Sequence, residues 1–206
     1  MDNQQLETTL QNGLTKLNLI LPDRSKHALI DFLLLLQKWN KTYNLTAIND
    51  LSDMLVLHIF DSLAVTPYIT GPNILDIGTG AGLPGIPLAL VFPDYNFVLL
   101  DSNHKKITFI NHVILSLGIK NVTAICERIE KFHWQTQFNT IMSRATTSVS
   151  FIVANAKQLC CNKGQILMMK GKYPQSELEA LDTKALTHKI DVPNLNADRH
   201  LICVTM

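Results

Sequence analysis

The order of apolar and polar positions divides the chain at Gly71-Pro72. Upstream, Leu29, Phe32, Leu33, Leu36 and Trp39 recur at helical spacing, with Asp23 or Ser25 available as N-cap, and predict an amphipathic helix over 25–40. Ser52 is expected to cap a second helix in which Leu55, Ile59 and Leu63 share a face, while His58 and Asp61 lie off it. Downstream the pattern changes to short apolar runs, at 73–77, 96–100, 122–126, 138–142, 165–170, 186–192 and 199–205, which are seven candidate strands. Helices are expected over 83–92, 105–117 and 147–159, ending at Pro93, Gly118 and near Gly164. In the second of these, Ile107, Ile110, Ile114 and Leu117 form one stripe. Strands alternating with helices of this length pair in parallel beneath helices on both faces, and the final strands, with no long helix between them, close the sheet antiparallel. The expected fold class is α/β: a seven-stranded, mostly parallel, doubly wound sheet with an N-terminal helical extension. Residues 1–70 are then a helical region packed on the core, and 71–206 the sheet domain.

A chain of 206 residues with 47% apolar content can bury a sizeable core. No apolar run approaches the roughly 20 residues that cross a bilayer, and the start is polar, so a cytoplasmic protein is expected. Cys126, Cys160, Cys161 and Cys203 show neither CxxC pairing nor ligand spacing with histidine, which predicts reduced thiols and no metal. The formal charge of +1 lacks the basic excess of a dedicated nucleic-acid binder. His104-Lys105-Lys106, Lys170-Gly171-Lys172 and Arg199-His200 are basic clusters, either one patch or separate solvated faces.

The candidate chemistry begins at Asp76-Ile77-Gly78-Thr79-Gly80-Ala81-Gly82, where the first candidate strand meets a glycine loop and a helix near Pro84. Glycine removes side-chain bulk and permits positive φ, so a nucleoside cofactor can approach Gly78, Gly80 and Gly82. Gly80 to Gly85 also satisfies GxGxxG, which leaves a nicotinamide dinucleotide open. A carboxylate at Asp76 repels a pyrophosphate and attracts the ammonium and sulfonium of S-adenosylmethionine, and so favours the methyl donor; alternatively it orders the loop. Asp101, ending the second strand, suits two hydrogen bonds from ribose hydroxyls, or caps the helix that starts near Asn103.

The acceptor is narrowed by what is missing after the fourth strand, at Ser143-Arg144-Ala145. There is no Asp/Asn-Pro-Pro-aromatic turn for an exocyclic amine, no cysteine for pyrimidine C5, and no acid at Ser143 to partner Lys170 for ribose oxygen. Guanine N7 has a free in-plane lone pair and loses no proton, so alignment alone can lower the barrier, by roughly 7–11 kcal/mol at best.

The segments 76–87, 99–102, Ser143-Arg144-Ala145 and Arg199-His200-Leu201, with Trp39 to Thr46 and His58 to Leu63 upstream, resemble the bacterial small-subunit ribosomal RNA guanine-N7 methyltransferase G family, once called glucose-inhibited division protein B. The resemblance covers nearly the whole chain and implies a Rossmann-like class I methyltransferase. It further implies in-line transfer to a guanine of 16S ribosomal RNA, within a small-subunit particle, by a monomer using S-adenosylmethionine and no metal. It places cofactor contacts at Gly78, Leu83, Ile129, Glu130 and Arg144. Arg144 bridges cofactor and acceptor or makes a structural ion pair, and Ile129-Glu130 walls the adenine or caps a turn. The RNA-facing candidates are Asn40, Asn44, His58, Lys170, Lys172, Arg199 and His200, with His58 alternatively bonded to Asp61. Trp39 is expected in the core. A non-catalytic RNA-binding or cofactor-sensing protein is the remaining alternative.

Overall fold

A computed structural model describes residues 2–144 and 148–206. The expected helix start at Thr147, and Ala145 of the Ser143-Arg144-Ala145 segment, lie outside the described residues.

Seven strands form one sheet: β1 (Asn73–Ile77), β2 (Asn96–Asp101), β3 (Val122–Cys126), β4 (Phe138–Ser143), β5 (Cys160–Lys170), β6 (Leu186–Lys189) and β7 (His200–Thr205). Their spatial order is β3-β2-β1-β4-β5-β7-β6. The first five are parallel, Leu75 lying opposite Val98 and Ile141, and β7 runs antiparallel between β5 and β6. β5 starts five residues before the expected 165, because Cys160 already pairs with Phe138 ahead of a register shift in β4. The run expected to reach 192 ends as a strand at Lys189 on the sheet edge.

Alternation along each strand sorts the core into two layers. Leu75, Val98, Leu100, Ile141, Ile166 and Ile202 face one apolar cluster, while Ile74, Leu99, Met142, Leu167 and Leu201 face the other. The second cluster also takes in the N-terminal helices α1 (Asn3–Lys16) and α2 (Asp23–Tyr43) through Leu6, Leu10, Phe32 and Leu36. α1 is mostly polar and buries Leu6, Leu10, Gly13 and Leu14 along one narrow face; a capping box between Asp2 and Gln5 starts it. α2 begins at Asp23 itself, after Pro22, so neither expected side-chain cap is used.

Next come α3 (Leu51–Met54), a six-residue π-helix at Leu55–Phe60 and α4 (Asp61–Leu63), end to end. Their cap is Asp50, whose carboxylate accepts the N–H groups of Ser52 and Asp53; Ser52 is the second helical residue. The sheet helices are α5 (Gly85–Val91), α6 (His104–Leu117) and α7 (Val149–Ala156), with the short α8 (Gln175–Glu179) before β6. α6 buries Ile107, Phe109, Ile110 and Val113, and leaves Ile114 and Leu117 half-buried. Its buried face is wider than the expected stripe because α2 covers its flank, with Trp39 and Phe32 against Phe109 at ring separations of 5.5 and 6.3 Å. Trp39 packs against the core as expected.

Candidate active site

In an open α/β sheet the crevice lies outside the carboxyl ends of the strands, where successive connections depart in opposite directions. Here that point is between β1 and β4. A cleft of about 630 Å³ opens there, lined on one side by the loop after β1 and the ends of β2 and β3, and on the other by Leu45, Thr46, His58, Arg144, Phe151 and Ile152.

The loop is tight because Gly78, Gly80 and Gly82 hold φ of 67°, 62° and 85°, the left-handed region in which a side chain is strained. Gly78 and Thr79 donate their N–H groups to the Leu100 carbonyl at 2.8 and 3.1 Å, and Gly80 donates to Asp101 Oδ2 at 2.9 Å. Asp101 Oδ1 accepts from Asn103 N–H at 2.8 Å, and Lys106 Nζ stands 3.8 Å from Oδ2. Asn103 is itself the N-cap of α6, so Asp101 ties the glycine loop to the start of that helix while lining the cleft. Gly78, Gly80, Leu83, Ile129, Glu130 and Arg144 line the cleft as well.

Asp76 is different. It is fully buried beneath the loop, outside the cleft wall, and its Oδ2 accepts from Thr79 Oγ1 at 2.6 Å and from Gly85 N–H at 2.9 Å. Of the two readings of this acid, loop ordering is the geometry observed. Burial pushes its carboxyl up to about 6, against the pull of those two hydrogen bonds and of the positive Arg144. Its Oδ1 has no partner among the described residues.

The opposite wall is built from distant parts of the chain. Asp61, buried in α4, accepts from Arg144 Nη1 at 3.2 Å and from Arg199 Nε at 2.7 Å, one arginine on each of its oxygens. Arg144 Nη1 also donates to the Leu57 carbonyl in the π-helix, at 2.9 Å. Of the two roles left open for the arginine, the structural ion pair is present, and the side chain also lines the cleft. Asp61 was not among the sequence candidates; its one signal is that it interrupts an apolar helix together with His58.

His58 bonds not to Asp61 but to Thr46, whose Oγ1 lies 3.1 Å from Nε2 and accepts Ile48 N–H at 3.2 Å. The ring is buried, and its Nδ1 has no partner among the described residues, a state that costs about 1–3 kcal/mol in a folded protein. Burial, followed by the positive charge of Arg144, drives the imidazole down to about 4, so it is neutral at pH 7.

The RNA-facing candidates separate. Asn40 is 4% exposed and holds the 46–49 turn, donating to the Ile48 carbonyl and Asn49 Oδ1 and accepting from Thr46 N–H; its amide is used up inside the fold and withdrawn from RNA. Arg199 is committed to Asp61, and Lys170 to both oxygens of Glu177 at 2.9 Å, so neither is a free phosphate hook. Asn44 and Lys172 are exposed, the first as the left-handed cap of α2. His200 pairs in register with Lys170, close to the Gly171 carbonyl and 5.5 Å from the Tyr173 ring. The clusters at 170–172 and 199–200 therefore meet, while Lys106 of the third cluster faces the cofactor side of the cleft.

The family model described as rRNA small subunit methyltransferase G matches residues 25–202. The chain belongs to this GidB family. Relatives named ribosomal RNA small subunit methyltransferase G include one from Legionella pneumophila (strain Lens), 45% identical over 204 residues, 99% of this chain and 97% of its own. Another, from Alteromonas mediterranea, is 42% identical over 202 residues, 97% and 96% of the two chains. The fold is shared with a solved S-adenosylmethionine-dependent methyltransferase from Aquifex aeolicus, at TM-score 0.57 and 16% identity over 74% of this chain and 92% of that one. GidB membership replaces the nicotinamide oxidoreductase as a reading of Gly80 to Gly85. Among the described residues no helix is long and apolar enough to cross a membrane, and no group of three or more His, Cys, Asp or Glu is placed to hold a metal ion.

Proposed function

We propose that the protein transfers a methyl group from S-adenosylmethionine to N7 of a guanine in 16S ribosomal RNA, within a small-subunit particle, acting in the cytoplasm as a monomer. The observation that carries the reading is that one cleft joins the glycine loop of β1 to a wall of Leu45, Thr46, His58, Arg144, Phe151 and Ile152, with no carboxylate on that wall among the described residues. The loop fits the cofactor on two counts. A Cβ built at Gly80 would have nothing nearer than the Lys106 ammonium, 3.8 Å away, so a ligand can lie along the backbone there. Beneath it, the buried Asp76, whose Oδ1 has no partner among the described residues, places a carboxylate that attracts a cationic ligand through space.

In this reading Gly78, Gly80 and Leu83 receive the amino-acid end, Asp101 the ribose, and Ile129 with Glu130 the adenine, while Arg144 meets the ligand carboxylate; Gly82, buried against Ile86 and outside the cleft lining, shapes the loop. The bound cofactor supplies an electrophilic methyl group on a sulfonium. The protein's own contribution is alignment: Arg144, fixed by Asp61 and Leu57, and Phe151 and Ile152 beside it confine the base, and the helical region 1–70 closes the cleft over the 71–206 sheet domain. In the same reading the exposed Lys172 and Asn44 and the partly buried His200 face the RNA backbone. The test is to map N7-methylguanosine in small-subunit RNA by borohydride and aniline cleavage, from cells with and without the protein. One cleavage site should vanish on deletion and return with the intact gene; unchanged cleavage in the deletion sinks the proposal.

A further inference from the structure

The first turn of α7 supplies Phe151 and Ile152 to the cleft wall, and one acid outside the cleft holds that turn. A helix start leaves its first N–H groups without intrahelical partners. In α7 the cap Ser148 serves one of them, its Oγ accepting Phe151 N–H at 3.3 Å. The Val149 N–H is taken from outside, by Glu177 Oε2 at 2.7 Å, from a residue of α8 28 positions further along the chain. Both Glu177 oxygens also accept from Lys170 Nζ, at 2.9 Å, where β5 ends. The sheet, α8 and the start of α7 thus meet on one carboxylate.

Ser148 cannot set where the helix sits, because it moves with it. Val149, Ile152, Val153 and Ala156 belong to the apolar cluster on that face of the sheet. Such packing is non-directional and resists withdrawal from the sheet more than a small slide along the helix axis. A charged acceptor on a backbone N–H is directional and about twice as strong as a neutral one, and negative charge is favoured at this end of a helix. Burial works against the Glu177 charge, but the Lys170 ammonium and the Val149 N–H outweigh it and hold the carboxyl below the usual range, so the anchor is ionised at pH 7. Where alignment is the catalyst, a shift of about 1 Å in a wall that confines the base can cost about a hundredfold in rate. We propose that Glu177 is a positioning residue for methyl transfer, which by holding the Val149 N–H sets where Phe151 and Ile152 confine the acceptor base. It acts through α7 alone, since Glu177 is not part of the cleft lining. The inference rests on the methyl-transfer reading above.

The test assays full-length protein on unmethylated small-subunit particles with S-adenosylmethionine saturating. Glu177→Ala should lower kcat about tenfold or more, with KM for the particle and affinity for the cofactor within about twofold of the unmodified protein. Glu177→Gln, whose amide oxygen can still accept the Val149 N–H, should recover most of that loss. Hydrogen exchange at the Val149 amide should be faster in Glu177→Ala than in Glu177→Gln. The deciding arm is a cycle with Phe151→Ala: if both residues act on one wall, the double variant should be no more than about twofold slower than Phe151→Ala by itself. Losses that multiply in the double variant, or an unchanged kcat in either single variant, overturn the inference while the methyl-transfer reading stands. A Glu177→Gln no better than Glu177→Ala overturns it too. If the unmodified protein leaves the particles unmethylated, both fall together.

Discussion

The two ends of the cleft are built by opposite strategies. The cofactor end comes from one continuous stretch, Asp76 to Gly85, closed by hydrogen bonds to the neighbouring strand and to Asp101, 21 positions from Gly80. The acceptor end has no such stretch: Thr46, His58, Asp61, Arg144 and Arg199 meet across separations of up to 138 positions. A local site is specified by backbone conformation, whereas a dispersed one is specified by charges that find each other only once the fold is complete. Substitutions at the first end should therefore act through φ and space, and those at the second through unpaired charge.

The sharpest way to break this contrast is Asp61→Ala, which strands two partly buried arginines. It should lower unfolding free energy by about 3 kcal/mol, read from urea denaturation, and lower methyl transfer along with it. At the loop, Gly85→Ala should destabilise the fold by about 1–3 kcal/mol, because its Cβ would lie 2.1 Å from Leu99 Cδ2 and 2.8 Å from Asp76 Oδ2. Gly80→Val should cost about 1–3 kcal/mol through its left-handed φ of 62° alone, with no steric clash, and weaken cofactor affinity at least about tenfold in a calorimetric titration, since its side chain would lie along the ligand's path. If both glycine variants change stability and affinity in the same proportion, the loop is not divided between packing and binding.

A pH series sharpens the comparison further. The Asp76 carboxyl is raised in the folded protein from 3.8 to about 6, so its proton favours the native state and stability falls as pH rises through that window. His58 is depressed from 6.5 to about 4 and native when neutral, so stability rises with pH through nearly the same window. The two slopes oppose each other. Asp76→Asn should leave a melting temperature that climbs from pH 4 to 6 more steeply than in the unmodified protein, and His58→Gln one that climbs less steeply or falls. Cofactor affinity should also tighten between pH 5 and 7, as a cationic ligand releases the Asp76 proton. The smallest effect is expected at the rim: Lys172→Ala should lower the salt dependence of particle binding by about one counterion and leave cofactor affinity unchanged.

What the sequence discloses follows the same division. The seven strands, the mostly parallel pairing, the antiparallel closure and the glycine loop were legible because alternation and glycine spacing are local signals; β1 and β3 begin and end where the apolar runs do. α1 was not, because a helix that buries only three leucines and a glycine carries too narrow a stripe to read. Asn40 looked like a surface amide and is a turn clamp, since nothing in its neighbours shows that the 46–49 turn folds back onto α2. Lys170 and Arg199 looked like free cations because their acids, Glu177 and Asp61, become neighbours only through α8 and the π-helix. Asp76 was left between attracting the cofactor and ordering the loop, and its depth beneath the loop, which no local pattern shows, commits one of its oxygens to Thr79 and Gly85.

The clasp of Arg199 on Asp61 also sets an order of events during synthesis. Chain growth delivers the whole cofactor loop and both its neighbouring strands long before Arg199 leaves the ribosome, and the entropy of closing a loop of that length is recovered only when β7 slots between β5 and β6. Until then Asp61 has at most one of its two cations, and the acceptor wall is open. In the proposed function, the wall that confines the base is therefore complete only once the antiparallel strand closes the sheet.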